Sequence, residues 1–212
     1  MKKIPILQFP DGKMVKKVPR SFYEQDNVVS ISEELVGKVL CTNVDGVFTA
    51  GMIVETEAYN GRTDRACHAY PDVRTKRTET LYSKPGIAYV YLCYGIHHLF
   101  NIVTNKEGLA DAVLIRAIQP LEGENDMAKR RRKEHIKPII SNGPGKLSQA
   151  LGITTSHDKT DLLGDTIWVE DRGIEIPKGA IKASKRIGVE YAGKDAELPW
   201  RFTLKNSEWV SR

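Results

Sequence analysis

Apolar and polar residues alternate along the chain in short runs that predict a protein built mainly from β-strands. Residues 38–44 and 48–54 are apolar runs of strand length, and the Asp-Gly dipeptide between them favours a tight hairpin turn. Residues 85–95 end in a glycine and are followed by a return run at residues 99–103, so they predict a second hairpin. Residues 112–118 are almost continuously apolar, as in a strand that is buried on both faces.

Helical patterns are fewer and shorter than the strand patterns. Ser30 and Glu33 form a capping-box pair ahead of an apolar stripe that stops before Gly37, which predicts a short helix. Residues 120–137 carry a second helical pattern, and residues 142–152 place turn residues before a short helix with a final glycine. The last third of the chain predicts short strands separated by turns, at residues 167–169, 187–189 and 200–203.

Length and composition are those of a soluble globular protein. The 212 residues fit one domain, and 41% of them are hydrophobic and 28% charged. Residues 1–20 are rich in Lys and Pro and predict a loosely ordered basic arm, ahead of a single domain at residues 21–212. The formal net charge of +5 and the pI near 9.0 favour a polyanionic partner.

Cysteine usage and the N-terminal pattern indicate the compartment. Cys41, Cys67 and Cys93 lack CxxC spacing, which argues against a disulfide framework and for a reducing environment. Polar residues interrupt the first apolar run before a signal-peptide core can form, and no run has the length of a membrane helix. We therefore expect an intracellular protein, either cytoplasmic or nucleoid-associated.

Candidate chemistry is concentrated where the second predicted strand ends. Because side chains alternate along a strand, Glu55, Glu57 and Tyr59 share one face. Tyr89 and Tyr91 share a face of the next hairpin, and flat rings beside a carboxylate suit a flat ligand such as a nucleobase. A strand with one solvated face also carries such residues without forming a site. Alternation alone does not separate Glu55 from Glu57 as the functional carboxylate.

Basic residues lie around this cluster in the sequence. Arg116 falls inside the buried run and therefore predicts a carboxylate partner on a neighbouring strand. Residues 60–80 form a turn-rich basic loop, which we expect beside the pocket. The basic run at residues 129–133 suits either a solvated helix face or phosphate contacts. The turn at residues 142–147 could receive a phosphate on the free N–H groups of its helix, although its glycine spacing is not that of a P-loop.

Six motifs occur together: ETEAY at 55–59, ACH at 66–68, KPGIAYVYLCYG at 84–95, FN at 100–101, VLIRA at 113–117 and NGPGKL at 142–147. In this order they resemble the alkyladenine (3-methyladenine) DNA glycosylase family of the mammalian type, over roughly residues 20–210. The resemblance implies an α+β fold, with a single mixed domain around a curved antiparallel β-sheet and a protruding β-hairpin. It also implies excision of damaged purines from double-stranded DNA without a metal or cofactor.

The resemblance assigns the catalytic roles to two residues. Glu57 matches the general base that activates water, and Arg116 matches the active-site arginine near that water and the sugar phosphate. Glu55 is the reserve for the base. No lysine accompanies the proposed base in its motif, so we expect a monofunctional enzyme that leaves an abasic site and does not cut the strand through a Schiff base.

The remaining matched residues belong to base binding and DNA distortion. Tyr59, His68 and Tyr91 match the aromatic walls that hold an extruded base, and the backbone at His68 also contacts its edge. Asn101 matches the pocket residue that crowds out a guanine with its 2-amino group. Tyr94 matches the hairpin-tip residue that fills the gap left in the stack, which makes it the DNA-intercalating residue.

Two other interpretations use the same residues. A zinc site would draw on Cys67, His68, Cys93, His97 and His98, but their spacings fit no structural zinc pattern. A noncatalytic nucleic-acid-binding module would use the same charge, rings and hairpin, yet it has no use for a carboxylate among phosphates. We expect an enzyme that acts as a monomer on DNA, with no membrane partner.

Overall fold

A computed structural model describes residues 15–211. The strands are β1 Lys16–Lys17, β2 Val39–Val44, β3 Val47–Asn60, β4 Ala88–Cys93, β5 His97–Thr104, β6 Asp111–Glu122, β7 Ile167–Asp171, β8 Ile181–Ser184 and β9 Arg201–Leu204. The α-helices are α1 Arg20–Tyr23, α2 Val28–Glu34, α3 Glu124–Arg130 and α4 Pro144–Leu151. The 3₁₀ helices are Glu79–Tyr82, Pro138–Ile140, Thr155–His157 and Glu190–Glu197.

The nine strands of the described part form one open, curved antiparallel sheet. Its order is β1-β7-β2-β3-β6-β5-β4, and β9 pairs with both β3 and β8. β3 pairs with β2 through its first half and with β9 near its end, so this long strand has a different partner strand along each part. The predicted α+β fold class, a single domain around a curved antiparallel sheet, is therefore confirmed.

Both predicted hairpins are present. The β2–β3 turn places Asp45 and Gly46 at φ of 55° and 75°, the positive values that an Asp-Gly turn accepts. In the β4–β5 hairpin, Cys93 pairs with His97 across a three-residue loop that begins at Tyr94. Tyr94 itself is 91% exposed, so the hairpin tip carries an uncovered aromatic ring.

Helices cover one face of the sheet and enclose the largest buried cluster with it. Ile31 of α2 and Leu147 of α4 belong to the same buried cluster as Phe100 of β5 and Ile115 of β6. The predicted buried strand at residues 112–118 is confirmed, because every residue of this stretch is buried. The candidate residues of β3 and β4 lie on the sheet face opposite α2.

Some predicted boundaries were wrong for identifiable reasons. The helix predicted at Ser30 is α2, which begins two residues earlier. The side chain of Asn27 caps it by accepting from the N–H groups of Val29 and Ser30. The helix predicted at residues 120–137 is only α3. β6 runs through Pro120, which lacks an N–H and lies opposite Gly51 where the pairing of β3 with β6 shifts register.

One further segment differs from the prediction, and another lies mostly outside the described residues. Residues 187–189 form a loop rather than a strand, and β8 lies just before them. Residues 1–14 of the predicted basic arm lie outside the described residues. The last residues of the arm are docked, since β1 pairs with β7 and the N–H of Val18 donates to Val169 O at 2.8 Å. The domain boundary after residue 20 stays a prediction.

Candidate active site

A bulge where β3 pairs with β6 directs an arginine into the site. Glu55 pairs with Ala117 and Thr56 pairs with Ile115, so Arg116 is the extra residue between them. A bulge redirects the side chain of the inserted residue. Here the guanidinium reaches both predicted carboxylates: Arg116 Nε is 2.9 Å from Glu55 Oε1, and Arg116 Nη1 is 3.2 Å from Glu57 Oε2. The predicted carboxylate partner of Arg116 is confirmed.

The two carboxylates, both fully buried, have different hydrogen-bond environments. Glu55 Oε1 accepts from Arg116 Nε, from Arg201 Nε at 2.7 Å and from Ser211 Oγ at 2.8 Å. Its other oxygen accepts from the N–H of Ser211 at 2.7 Å. Two cations and a serine therefore hold Glu55, which is a structural counter-ion beneath the site.

Glu57 has fewer donors. Its Oε2 accepts from Tyr59 Oη at 2.7 Å and from Arg116, and its Oε1 accepts from the main-chain N–H of Ile187 at 2.8 Å. A carboxylate oxygen offers two lone pairs, so Oε1 keeps one for a further partner. Burial raises the pKa of Glu57 above its ordinary value, while Arg116 and the hydrogen bonds from Ile187 and Tyr59 oppose that rise.

A cavity of about 680 Å³ opens beside this carboxylate. Its lining includes Tyr59, Arg116 and Ile187, which are the three residues that bond Glu57. Glu57 lies directly behind them. The cavity is several times larger than a purine base, so it has room for a nucleoside with its sugar.

Aromatic rings also line the cavity. The rings of His68 and Tyr91 meet edge to face with centroids 4.7 Å apart, and those of Tyr89 and Tyr91 are tilted with centroids 5.4 Å apart. The predicted shared face of Tyr89 and Tyr91 is confirmed. The predicted residues Tyr59, His68, Tyr91, Tyr94 and Asn101 all line this one cavity, together with Arg116.

Hydrogen bonds determine the protonation of His68. Arg77 Nη2 is 3.2 Å from His68 Nε2, and an arginine only donates, so Nε2 accepts. The proton of the neutral ring therefore lies on Nδ1, which donates to Tyr89 Oη at 3.1 Å. Burial, and to a lesser extent the charge of Arg77, lower the pKa of His68 to about 4. The wall is uncharged at His68 near neutral pH.

Asn101 is oriented by the hairpin that it belongs to. Its Nδ2 donates to Tyr89 O at 3.1 Å and to Leu99 O at 3.4 Å. No donor among residues 15–211 reaches its Oδ1, which therefore remains an acceptor on the cavity wall.

The rim of the cavity is formed by the hairpin tip and the start of α4. Tyr94 on the tip and Lys146 on α4 both line the opening. Beside Tyr94, Ile96 is 70% exposed. Of the basic side chains in the predicted loop at residues 60–80, Arg77 is the one that lines the cavity.

Sequence reasoning missed three contributors. Ile187 was assigned to a strand, although its N–H serves the carboxylate. Arg186 and Asp64 form a fully buried ion pair behind Tyr59. The apolar pattern at residues 187–189 does not indicate that the Ile187 N–H contacts Glu57. An isolated arginine and an isolated aspartate in polar surroundings carry no local signal of burial.

Among residues 15–211 no group of three or more His, Cys, Asp or Glu side chains is placed to hold a metal ion. None of the helices described there has the length and hydropathy needed to cross a bilayer.

Comparisons with known proteins agree on the class of enzyme. The chain is a DNA glycosylase, a hydrolase that acts on N-glycosyl bonds and serves base excision repair. It belongs to the methylpurine-DNA glycosylase family, whose model matches residues 21–208.

The similar relatives are bacterial proteins that carry the provisional name 3-methyladenine DNA glycosylase. A protein of Chlamydia felis is 45% identical over 188 residues, which cover 88% of this chain and 95% of the relative. A protein of Clostridium tetani is 45% identical over 204 residues, 92% of this chain and 99% of the relative. A protein of Desulfitobacterium hafniense is 41% identical over 204 residues, 93% and 99% respectively. The family is the one that the motifs indicated, but these relatives do not support the mammalian type.

Proposed function

We propose that this protein is a monofunctional glycosylase that extrudes alkylated or deaminated purines from double-stranded DNA and hydrolyses their N-glycosidic bond. Its substrates are of the 3-methyladenine, 7-methylguanine and hypoxanthine type, and its product is an abasic site. The observation that carries the proposal is the partly coordinated carboxylate of Glu57 behind a cavity walled by aromatic rings.

Extrusion of the nucleotide comes first, because a base inside a duplex is out of reach of any side chain. It costs a few kcal/mol, and least for a damaged or poorly paired base. Tyr94 is 91% exposed on a hairpin tip that borders the cavity. We propose that its ring fills the space that the extruded base leaves in the stack, which offsets part of the free-energy cost of extrusion.

Binding of the extruded base uses the rings of Tyr59, His68 and Tyr91. Alkylation at N3 or N7 makes a purine cationic, and each well-placed ring attracts such a base by about 0.5–2 kcal/mol. His68 is uncharged near neutral pH and so does not repel it. We assign Asn101 the steric contact that disfavours an unmodified guanine at its 2-amino group.

Hydrolysis uses a water held against Glu57. The carboxylate accepts a proton from the water through the lone pair that Oε1 keeps. Arg116 orients the carboxylate by its hydrogen bond to Oε2. The negative charge also stabilises the oxocarbenium-like sugar of the transition state. A cationic purine leaves without being protonated, so a single carboxylate is sufficient for it, whereas a neutral base such as hypoxanthine also needs a proton from an acid as it leaves.

The partner is double-stranded DNA, and the protein acts on it as a monomer without a cofactor. The net charge of +5 and the Lys146 and Arg77 side chains at the cavity favour contact with phosphates. We place the protein inside the cell, in the cytoplasm at the nucleoid, where its substrate is.

The test is release of bases from methylated DNA and from a duplex with one hypoxanthine. Wild-type protein is expected to release 3-methyladenine, 7-methylguanine and hypoxanthine and to leave alkali-sensitive sites. Glu57→Gln is expected to bind the same DNA without releasing bases. DNA binding without release by the wild type would favour a noncatalytic module. A covalent adduct trapped by borohydride would contradict the monofunctional mechanism.

A further inference from the structure

Arg186 is buried at the junction of four chain segments. Its guanidinium donates to both oxygens of Asp64, and Arg186 Nη2 lies 2.8 Å from Asp64 Oδ1. Nη1 donates to Ala58 O at 2.8 Å, and Nη2 donates to Asp195 O at 3.1 Å. Both charged side chains are fully excluded from solvent. The pair joins β3, the loop after it, residue 186 and the 3₁₀ helix Glu190–Glu197.

This junction touches the reaction centre at two points. Arg186 immediately precedes Ile187, whose N–H donates to Glu57 Oε1. The guanidinium also lies over the ring of Tyr59, with its central carbon 4.8 Å from the ring centroid, and Tyr59 donates to Glu57 Oε2. Arg186 does not line the cavity whereas Tyr59 does, so the cation covers the ring face that is turned away from the cavity.

We propose that the buried Arg186–Asp64 ion pair is a positioning device that holds Ile187 N–H and the Tyr59 ring against Glu57. The proposal rests on the proposed function, since it concerns the carboxylate that activates water. Neither Arg186 nor Asp64 lines the cavity, so both act through Ile187 and Tyr59.

The chemistry of the pair fits this role. A guanidinium fork fixes two directions at once, whereas an apolar residue at position 186 would leave the loop free to move away from β3. Asp64 cancels the charge, so that Arg186 orients the site without adding net charge beneath the bound base. The groups that face Glu57 are then Arg116 from β6, Tyr59 and Glu55 from β3, the Ile187 N–H from the loop, and Arg201 from the adjoining strand β9.

The experiment compares two variants of the pair. Arg186→Lys keeps the charge but loses the fork. Asp64→Asn with Arg186→Met removes both charges, which leaves no isolated buried ion. The matched control is Arg62→Met, made together with Asp111→Asn so that it too leaves no isolated buried ion. It removes the Arg62–Asp111 ion pair between this loop and β6 and touches neither Ile187 nor Tyr59. Each protein is first checked for cooperative thermal unfolding.

Two quantities are measured on the folded proteins. The first is the single-turnover rate of 7-methylguanine release as a function of pH. The second needs no activity: it is the titration of the Glu57 carboxyl by NMR in protein with ¹³C-labelled glutamate, assigned by its loss in Glu57→Gln. The double variant of Asp64 and Arg186 is expected to lose about 10- to 100-fold in rate, as for other supporting residues behind a reactive group. Its affinity for DNA should be unchanged.

The direction of the pH effect follows from the lost hydrogen bond. The Ile187 N–H stabilises the ionised carboxylate and lowers the pKa of Glu57, so its displacement raises that pKa and moves the acid limb of the rate profile to higher pH. Arg186→Lys should shift both in the same direction by less, and Arg62→Met with Asp111→Asn should shift neither.

The proposal would be overturned if the folded variants kept both the acid limb of the rate profile and the Glu57 titration of the wild type. The ion pair would then only stabilise the fold. If the wild type released no base while the Glu57 titration still moved, the proposed function would be wrong and the positioning role would stand.

Discussion

The hydroxyl of Tyr59 donates to Glu57 Oε2 at 2.7 Å, between two residues that lie on the same face of one strand. Burial raises the pKa of Tyr59 well above its usual range, and the adjacent Glu57 carboxylate raises it further. The phenol therefore stays a donor at any working pH. Tyr59 thus joins the carboxylate to the cavity wall and holds Oε2, which leaves Oε1 as the oxygen that can approach a water.

Replacement of the two neighbouring glutamates should have opposite effects. Glu57→Gln should reduce the release rate at least about 100-fold, because a general base contributes at this level. It should not lower stability, since burial disfavours the charge of Glu57. Glu55→Gln should instead destabilise by about 3–5 kcal/mol, because Arg116 and Arg201 lose their shared counter-ion. Thermal unfolding and single-turnover kinetics distinguish them; similar melting temperatures would contradict the assignment.

As the pH is lowered, the rate of base release should begin to fall at a pH above the ordinary pKa range of a glutamic acid. The folded pKa of Glu57 is raised above 4.5, and the base is lost as pH falls through the raised value. The same shift makes the ionised carboxylate a cost, so its contribution to stability decreases as pH rises from about 4.5 through the folded pKa. Rate profiles for a cationic and a neutral lesion should share this limb. A limb at or below pH 4.5 would be inconsistent with a buried base.

His68 should remain neutral until about pH 4. Its folded pKa lies below the ordinary 6.5, so stability is lost as pH falls through 6.5 toward 4, where the unfolded chain takes up a proton and the folded protein does not. Arg77→Met should raise this pKa, because the cation at 3.2 Å is removed. Lys76→Met removes a charge from the same loop and is the control. ¹⁵N NMR of the imidazole reports both the pKa and the Nδ1–H tautomer.

Tyr91→Leu should impair release of 3-methyladenine more than release of hypoxanthine. A cationic base loses about 0.5–2 kcal/mol when one well-placed ring is removed, which corresponds to about 2- to 30-fold in rate or affinity, and a neutral base has no such term. Both substrates are compared in one sequence context. Equal losses would mean that Tyr91 acts by shape alone.

Tyr94→Ala should reduce release from duplex DNA by about tenfold and leave release from single strands nearly unchanged, because a wedge only matters where a stack must be filled. The fold should be unaffected, since the ring is 91% exposed. Ile96→Ala, on the same hairpin tip, serves as the control for lost apolar surface. An equal loss on single strands would assign Tyr94 to base binding instead.

Short-range patterns predicted much of the site. Alternation placed Glu57 with Tyr59 and Tyr89 with Tyr91, since strand periodicity depends only on neighbours. The need of a buried arginine for a counter-ion predicted the partners of Arg116. These inferences use a few adjacent residues and one physical rule each.

Long-range and main-chain features could not be predicted. The Arg186–Asp64 pair joins residues 122 positions apart, and Ile187 meets Glu57 across 130 positions. The bulge at Arg116 depends on a register that only the assembled sheet defines. The larger number of donors around Glu55 than around Glu57 depends on Ser211, which no local pattern connects to the site.

The contact between Ile187 and Glu57 belongs to the peptide group and not to the side chain. Any residue except proline at position 187 can therefore supply it. The isoleucine side chain, 41% exposed on the cavity wall, is free to change in size without disturbing the carboxylate. Substitutions here can thus reshape the chamber while the hydrogen bond to Glu57 persists.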